Sequence, residues 1–229
     1  MAQRWTDLLF AHWPIDARVL RALVPAQLPL DSFDGTGWLS IASFYLSHLR
    51  SRWLPALPWL SQFPELNVRT YVSLGGKPGV YFFSLDAGSA LAVAGARAAY
   101  HLPYFNARMT TSRSATGTVA YASHRTDRRA GPADFAARYR PAGSVVRSVP
   151  GTLDYWLTER YCLYATDAAR RVYRAEIHHH PWPLQDVDAE IETNTMAAAA
   201  GIALPPLSPR LSFASLLDVV VWAPSRIRA

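Results

Sequence analysis

The run Glu65-Leu-Asn-Val-Arg-Thr-Tyr-Val-Ser-Leu74, closed by Gly75-Gly76 and followed by Val80-Tyr-Phe-Phe-Ser-Leu85, decides the fold class. Both runs are dense in β-branched and aromatic residues, and paired glycines supply the positive φ of a tight turn. Residues 65–74 and 80–85 are therefore expected to form a hairpin. Side chains alternate across a strand, so Glu65, Asn67, Arg69 and Tyr71 share one face and Leu66, Val68, Thr70 and Val72 the other. A half-exposed strand shows the same alternation. The mix of side chains favours a buried row. Solvent faces favour interchangeable Lys, Glu and Thr, whereas an acid, an amide, a guanidinium and a phenol in register can line a small polar cavity.

Residues 104–111 repeat the pattern, with Tyr104, Asn106 and Arg108 on one face and Phe105, Ala107 and Met109 opposite. Two such rows facing each other build a pocket to which Arg69 and Arg108 give a positive field, and arginine forks grip carboxylates at two points. A small anionic organic molecule is the expected partner.

Further strands are expected at 38–46, 118–123, 161–166, 172–179 and 216–222. Helices are expected at 17–24, capped by Asp16 and stopped by Pro25, and at 90–100, capped by Ser89. Two more are expected at 133–139, after Gly131-Pro132, and at about 186–200, ended by Gly201. The Trp-, Leu- and Pro-rich stretch 52–64 reads as an ordered flap over the mouth of the domain. Strands and helices do not alternate. A mainly β (α+β), closed or nearly closed barrel with a few packing helices therefore fits better than a doubly wound sheet. Residues 1–229 are expected to form a single domain.

Half of the residues are hydrophobic and 17% are charged, a balance of compact proteins, not disordered ones. A formal charge of +6 raises the question of nucleic acid or an anionic membrane. The basic residues are scattered, however, and their densest group, Arg125, Arg128 and Arg129, is broken by Thr126 and Asp127. Neither nucleic acid nor membrane is expected as a partner, and the longest apolar runs are too short to span a bilayer. The first residues lack the apolar core of a secretory leader, and Cys162 is the sole cysteine, so a reducing, cytoplasmic setting without disulfides is expected. A homo-oligomer is compatible with this composition.

In a strand only His178 and His180 of the three consecutive histidines share a face, and spacing places no third ligand, so no metal is expected. Neither G-x-S-x-G nor a glycine-rich phosphate loop is present. No cofactor is expected.

Three segments taken together, Phe63-Pro-Glu-Leu-Asn-Val-Arg-Thr-Tyr-Val72, Gly79-Val-Tyr-Phe-Phe-Ser-Leu-Asp-Ala87 and Leu102-Pro-Tyr-Phe-Asn-Ala-Arg-Met109, resemble the YqjF-like (DUF2071) family of bacterial proteins. The opening Leu9-Phe-Ala-His-Trp-Pro14 and the late His180-Pro-Trp-Pro-Leu184 extend the resemblance over most of the chain. That family is placed in the acetoacetate-decarboxylase-like superfamily, which implies a cone-shaped β-barrel with an internal ligand cavity. Acetoacetate decarboxylases carry in order a pocket glutamate, an aspartate near a strand end, an arginine on a helix, and Gly-Phe-Pro-Lys-Lys. Here the same order gives Glu65, Asp86, Arg97 and His101-Leu-Pro-Tyr-Phe105.

The departure lies at the two lysines. A Schiff base needs a primary amine, and Tyr104 and Phe105 supply a phenol and a benzene ring. Lys77, the only lysine, sits in a Gly-Gly-Lys-Pro-Gly turn expected outside the barrel. Two functions follow as expectations. One is a binding module for a small organic acid, with Asn67, Arg69, Tyr71, Arg97, Asn106 and Arg108 as ligand-binding residues. The other is a lyase, isomerase or hydrolase in which Glu65 is the acid/base, Tyr104 hydrogen-bonds developing charge and an arginine anchors the carboxylate. Borohydride added with acetoacetate is expected to leave no reduced adduct on any cavity side chain by intact and peptide mass spectrometry; an adduct would overturn the loss of imine chemistry.

Overall fold

The computed structural model describes residues 1–50 and 61–227. The chain runs β1 (Ala2–Ile15), α1 (Ala17–Leu23), β2 (Gly37–Arg50), β3 (Phe63–Leu74), β4 (Lys77–Ala87), α2 (Ala90–Tyr100), β5 (Tyr104–Arg113), β6 (Val119–Arg125) and β7 (Asp134–Val146). It continues through α3 (Leu153–Thr158), β8 (Cys162–Thr166), β9 (Val172–His179), β10 (Leu184–Asn194), α4 (Met196–Ala199), β11 (Arg210–Val221) and β12 (Ser225–Arg226). Residues 52–60 of the expected flap lie outside the described residues, and its last two, Phe63 and Pro64, open β3 instead.

The hairpin at Gly75 and Gly76 is present, with φ of 61° and 73°, the two positive values of a type I′ turn. Around it the strands close twice. β4-β3-β2-β1-β11 form a shared sheet. At one end β8 pairs with β4 and β9 with β11, completing a ring of seven strands. At the other end β5 pairs with β4 and β10 with β11, completing a ring of nine through β6 and β7. Gly79 is where β4 passes β8 most closely. A Cβ there would sit 2.6 Å from the Cys162 carbonyl, so only glycine fits.

Because the shared sheet has a ring on each side, both of its faces are buried. One core holds Leu8, Phe10, Phe44, Tyr71, Phe82 and Trp182, with Leu163 and Ala175 of the seven-strand ring. The second holds Leu9, Ile41, Leu66 and Val68, with Tyr121, Phe135 and Tyr139 of the nine-strand ring. Leu66 and Val68 thus face a second strand-built core. Thr70 is buried on the same side and donates to the Trp38 carbonyl at 2.8 Å.

Two helix expectations are corrected. Of residues 133–139, all from Asp134 on lie in β7, where Phe135, Ala137 and Tyr139 are buried and Arg138 and Arg140 exposed, a period of two that a helix cannot give. Residues 186–194 lie in β10, with Val187, Ala189 and Ile191 inward and Asp186, Asp188, Glu190 and Glu192 outward. Only the short α4 remains of that helix. The acidic edge of β10 lies beside the basic edge of β7, with Arg140–Asp188 at 2.8 Å and Arg138–Glu192 at 2.9 Å. β1 and the first half of β11 are strands the sequence reading left unassigned. α1 and α2 stand where expected, each with its cap, Asp16 and Ser89. Among the described residues no helix is long and apolar enough to cross a membrane.

Asp86 and Arg125 form a two-point ion pair at 2.6 and 2.9 Å, with side chains 0% and 2% exposed, joining β4 to β6 inside the fold. Removing one partner strands the other charge away from water. Asp86→Ala is expected to destabilise the protein by about 3–5 kcal/mol, read by urea unfolding. A loss below about 1 kcal/mol, the scale of an exposed pair, would show that water reaches the site.

Candidate functional site

Period-two alternation in β3 directs Glu65, Asn67 and Arg69 into the seven-strand ring, where they are 4%, 4% and 7% exposed. They line a cavity of about 90 Å³ whose apolar wall includes Trp5, Phe82, Leu102 and Trp182. One water needs roughly 10–15 Å³ of such space, so the cavity has room for a small organic molecule.

Glu65 and Tyr104 form one pole. The Tyr104 hydroxyl donates to Glu65 Oε2 at 3.0 Å. Tyr104 is set in place by parallel pairing of β5 with β4 and by Arg97, whose Nη1 donates to the Tyr104 carbonyl at 2.9 Å. Burial pushes the Glu65 carboxyl up to about 7, against the pull of hydrogen bonds from Tyr104 and Asn67. Burial, and then the neighbouring Glu65, hold the Tyr104 phenol well above its ordinary value. At neutral pH Glu65 is poised between acid and base, and Tyr104 keeps its proton.

Two guanidinium groups form the other pole. Arg69 stacks over Phe10 at 5.1 Å, and burial lowers its affinity for its proton. Arg160, just past the C-terminus of α3, lies 4.3 Å over Trp156 and 5.0 Å over Tyr71. Its Nε donates to the Trp156 carbonyl and its Nη1 to Asp31, both at 2.6 Å. Among the described residues, Arg69 Nε, Arg160 Nη2 and Asn67 Oδ1 are buried without a hydrogen-bond partner, as are the indole nitrogens of Trp5 and Trp182. Buried polar groups are almost always paired. Five unpaired atoms on residues that line one cavity mark it as a site with hydrogen bonds left to make.

Four residues expected at the site are not among those lining the cavity. Tyr71 is fully buried beneath Arg160, 3.2 Å from His12 Nδ1. Arg97 acts on the Tyr104 backbone. Asn106 is tied through its backbone N–H and side chain to Asp127 at 3.0 and 3.4 Å, by an outer groove. Arg108 is exposed, opposite His124. The reason is topological. β5 touches β4 only from Tyr104 to Asn106 and then turns to β6. Beyond that contact, the face that Tyr104 turns to the cavity becomes the outside of the nine-strand ring.

Sequence reasoning missed Arg160 and His179. Arg160 carries no periodic signal, because it reaches the cavity through the return of the chain after α3. His179 is buried against Tyr161 at 4.7 Å and donates from Nδ1 to the His180 carbonyl at 2.8 Å. Burial lowers its pKa, so it is neutral. His178 and His180 are exposed, and among the described residues no group of three or more His, Cys, Asp or Glu could hold a metal ion. Lys77 is exposed in its turn and bonds Glu176 at 3.0 Å. No side chain lining the cavity carries a primary amine.

Two closed rings sharing one sheet around a polar cavity make a fold that solved structures show to be similar to that of acetoacetate decarboxylase. The enduracididine biosynthesis enzyme MppR, solved with pyruvate, superposes with a TM-score of 0.67 at 14% identity over 98% of this chain and 89% of that one. Acetoacetate decarboxylase from Legionella pneumophila superposes with a TM-score of 0.63 at 12% identity over 100% and 88%. The DUF2071 family model, described as an uncharacterized conserved protein, matches residues 2–218. The uncharacterized protein YqjF of Bacillus subtilis (strain 168) is 49% identical over 222 residues, 97% of this chain and 90% of that one. The chain belongs to the DUF2071 family.

Glu65 holds its proton more tightly folded, at about 7, than at its ordinary 4.5. The stability it contributes is therefore complete below pH 4.5 and is lost as pH rises through 7. Between pH 5 and pH 8 the wild type is expected to lose on the order of 2–3 kcal/mol relative to Glu65→Gln, read by chemical denaturation. Parallel pH profiles for the two proteins would place Glu65 in contact with water.

Proposed function

We propose that the protein binds a small organic acid in the seven-strand ring and holds its carboxylate on Arg69. One observation carries this reading: a guanidinium 7% exposed, on a residue that lines the cavity, with Nε unpaired among the described residues. A buried positive charge is costly unless compensated, and a ligand carboxylate compensates it by a charge-assisted hydrogen bond. Arg160 Nη2 offers a second donor in the same cavity. MppR, solved with pyruvate, supports the reading by analogy at the level of the fold. The chemistry differs from Schiff-base decarboxylation, since an imine cannot form on Tyr104 or Phe105.

A specific observation favours an enzymatic second reading. Glu65, at about 7 and hydrogen-bonded by Tyr104, has the acidity of a general acid/base at physiological pH. A carboxylate held at Arg69 leaves the rest of the acid pointing along β3 toward Glu65. Lyase or isomerase chemistry then takes Glu65 as the group that gives or accepts a proton.

In a thermal-shift screen of organic acids, a fitting anion is expected to raise Tm by mass action. Arg69→Ala is expected to abolish the shift, and Arg128→Ala, on the exposed β6–β7 loop, to leave it intact. Equal weakening by both substitutions would show a diffuse surface effect and remove the pocket reading.

A further inference from the structure

The charges that face the cavity can be counted. On β3 they are Glu65 and Arg69; after α3, Arg160; on β9, His179; on α2 and β5, the phenols of Tyr100 and Tyr104. The Met1 amino group stands at the rim, partly exposed, and donates to the Val221 carbonyl at 2.5 Å. Burial lowers the His179 pKa, so it is neutral at pH 7 and above, and both phenols are held protonated by burial. Arg160 has its own counter-ion in Asp31 at 2.6 Å. Arg69 has no carboxylate in salt-bridge contact among the described residues. The interior balance therefore rests on two groups four positions apart on one strand face, Arg69 and Glu65. Their Cα atoms are separated by roughly 13 Å at the usual rise per residue.

Resting on the organic-acid reading above, we infer that the cavity takes an acid carrying a single negative charge, and that binding draws one proton onto Glu65. With Glu65 ionised, the carboxylate already offsets Arg69, and an entering anion adds an uncompensated charge to an enclosed space. With Glu65 protonated, one positive charge is left, and a monoanion neutralises it. The proton comes from solvent and sits on Glu65 Oε1 or Oε2; no covalent bond is made or broken. A dianion of the same length meets one guanidinium without a counter-ion and, at the far end, a carboxylic acid and Tyr104. Its second charge has no partner there. The apolar wall of Phe82, Leu102 and Trp182 suits the uncharged body of a monoacid.

The sign of the linkage follows. Glu65 titrates at about 7 in the free protein, and a neighbouring ligand charge raises that value further. Affinity is constant where Glu65 is already protonated and falls about tenfold per pH unit above 7. Proton uptake is absent at pH 5.5 and approaches one per ligand at pH 8.

Butyrate and succinate, equal in chain length and different in charge, are the probes. Calorimetric titration of the full chain with each, at pH 5.5 and pH 8 and in two buffers of different ionisation enthalpy, reads affinity and proton count together. The expected result at pH 8 is butyrate binding with close to one proton taken up, and succinate binding at least about tenfold more weakly. Glu65→Gln is expected to bind butyrate with no buffer dependence and with equal affinity at both pH values. Butyrate binding to the wild type without proton uptake, or succinate binding as tightly as butyrate, overturns the inference and leaves the organic-acid pocket standing. No heat and no Tm shift from butyrate or from any acid of the thermal-shift screen overturns the pocket itself, and this inference with it. The wild-type pH and buffer series decides the matter even where the Gln variant fails to fold.

Discussion

Burial of the shared sheet on both faces is the constraint from which the rest of the structure follows. A strand with a core on each side normally reads as a continuous apolar run, because neither face can send a polar group to water. β3 departs from that rule chiefly on one face, Thr70 being the polar residue of the other. Leu66 and Val68 fill the nine-strand ring, while Glu65, Asn67 and Arg69 point into the seven-strand ring and keep their polarity without solvent. Such residues are tolerable only if they pair with one another or with something that enters. Pairing is incomplete, and the cavity lies where it is incomplete.

The fold treats its buried charges in contrasting ways. Asp86 and Arg125 close on each other with two bonds, and Arg125 also stacks over Phe105 at 4.5 Å. That pair is complete, and its place is structural. Arg160 is nearly as well satisfied, by Asp31, the Trp156 carbonyl and two aromatic faces. Arg69 has an aromatic face and, among the described residues, no carboxylate within ion-pair distance. The contrast within one small protein separates charges paired inside the fold from one that has no carboxylate partner among the described residues.

The scaffold is built without a lysine pair, and its positions 104 and 105 make other contacts. On the resemblance, Tyr104 and Phe105 stand where the decarboxylases carry their two lysines. Tyr104 now donates to Glu65, and Phe105 carries Arg125. Both residues have new contacts that a lysine ammonium could not make without burying a further charge. The two positions thus carry a hydrogen bond and an aromatic–cation contact in place of two ammonium groups.

What the sequence by itself determined is whatever depends on neighbours along the chain. The β3–β4 hairpin follows from Gly75-Gly76, the helix after Ser89 from its cap, the polar row of β3 from a period of two, and the lack of a lysine at 104 and 105 from the residues themselves. The period of two in 135–139 and 187–191 was equally legible, and turn and alanine signals obscured it. What only the tertiary structure decided is which face of a strand meets which ring. Asn106 and Arg108 share a face with Tyr104, yet only Tyr104 lines the cavity, because β5 leaves β4 after Asn106. Arg160 enters from a turn far along the chain, beside an Asp31 that is 129 residues away in sequence. Alternation assigns residues to faces locally, but ring closure assigns faces to cavities, and closure rests on strand pairings between segments that carry no record of each other in their own residues.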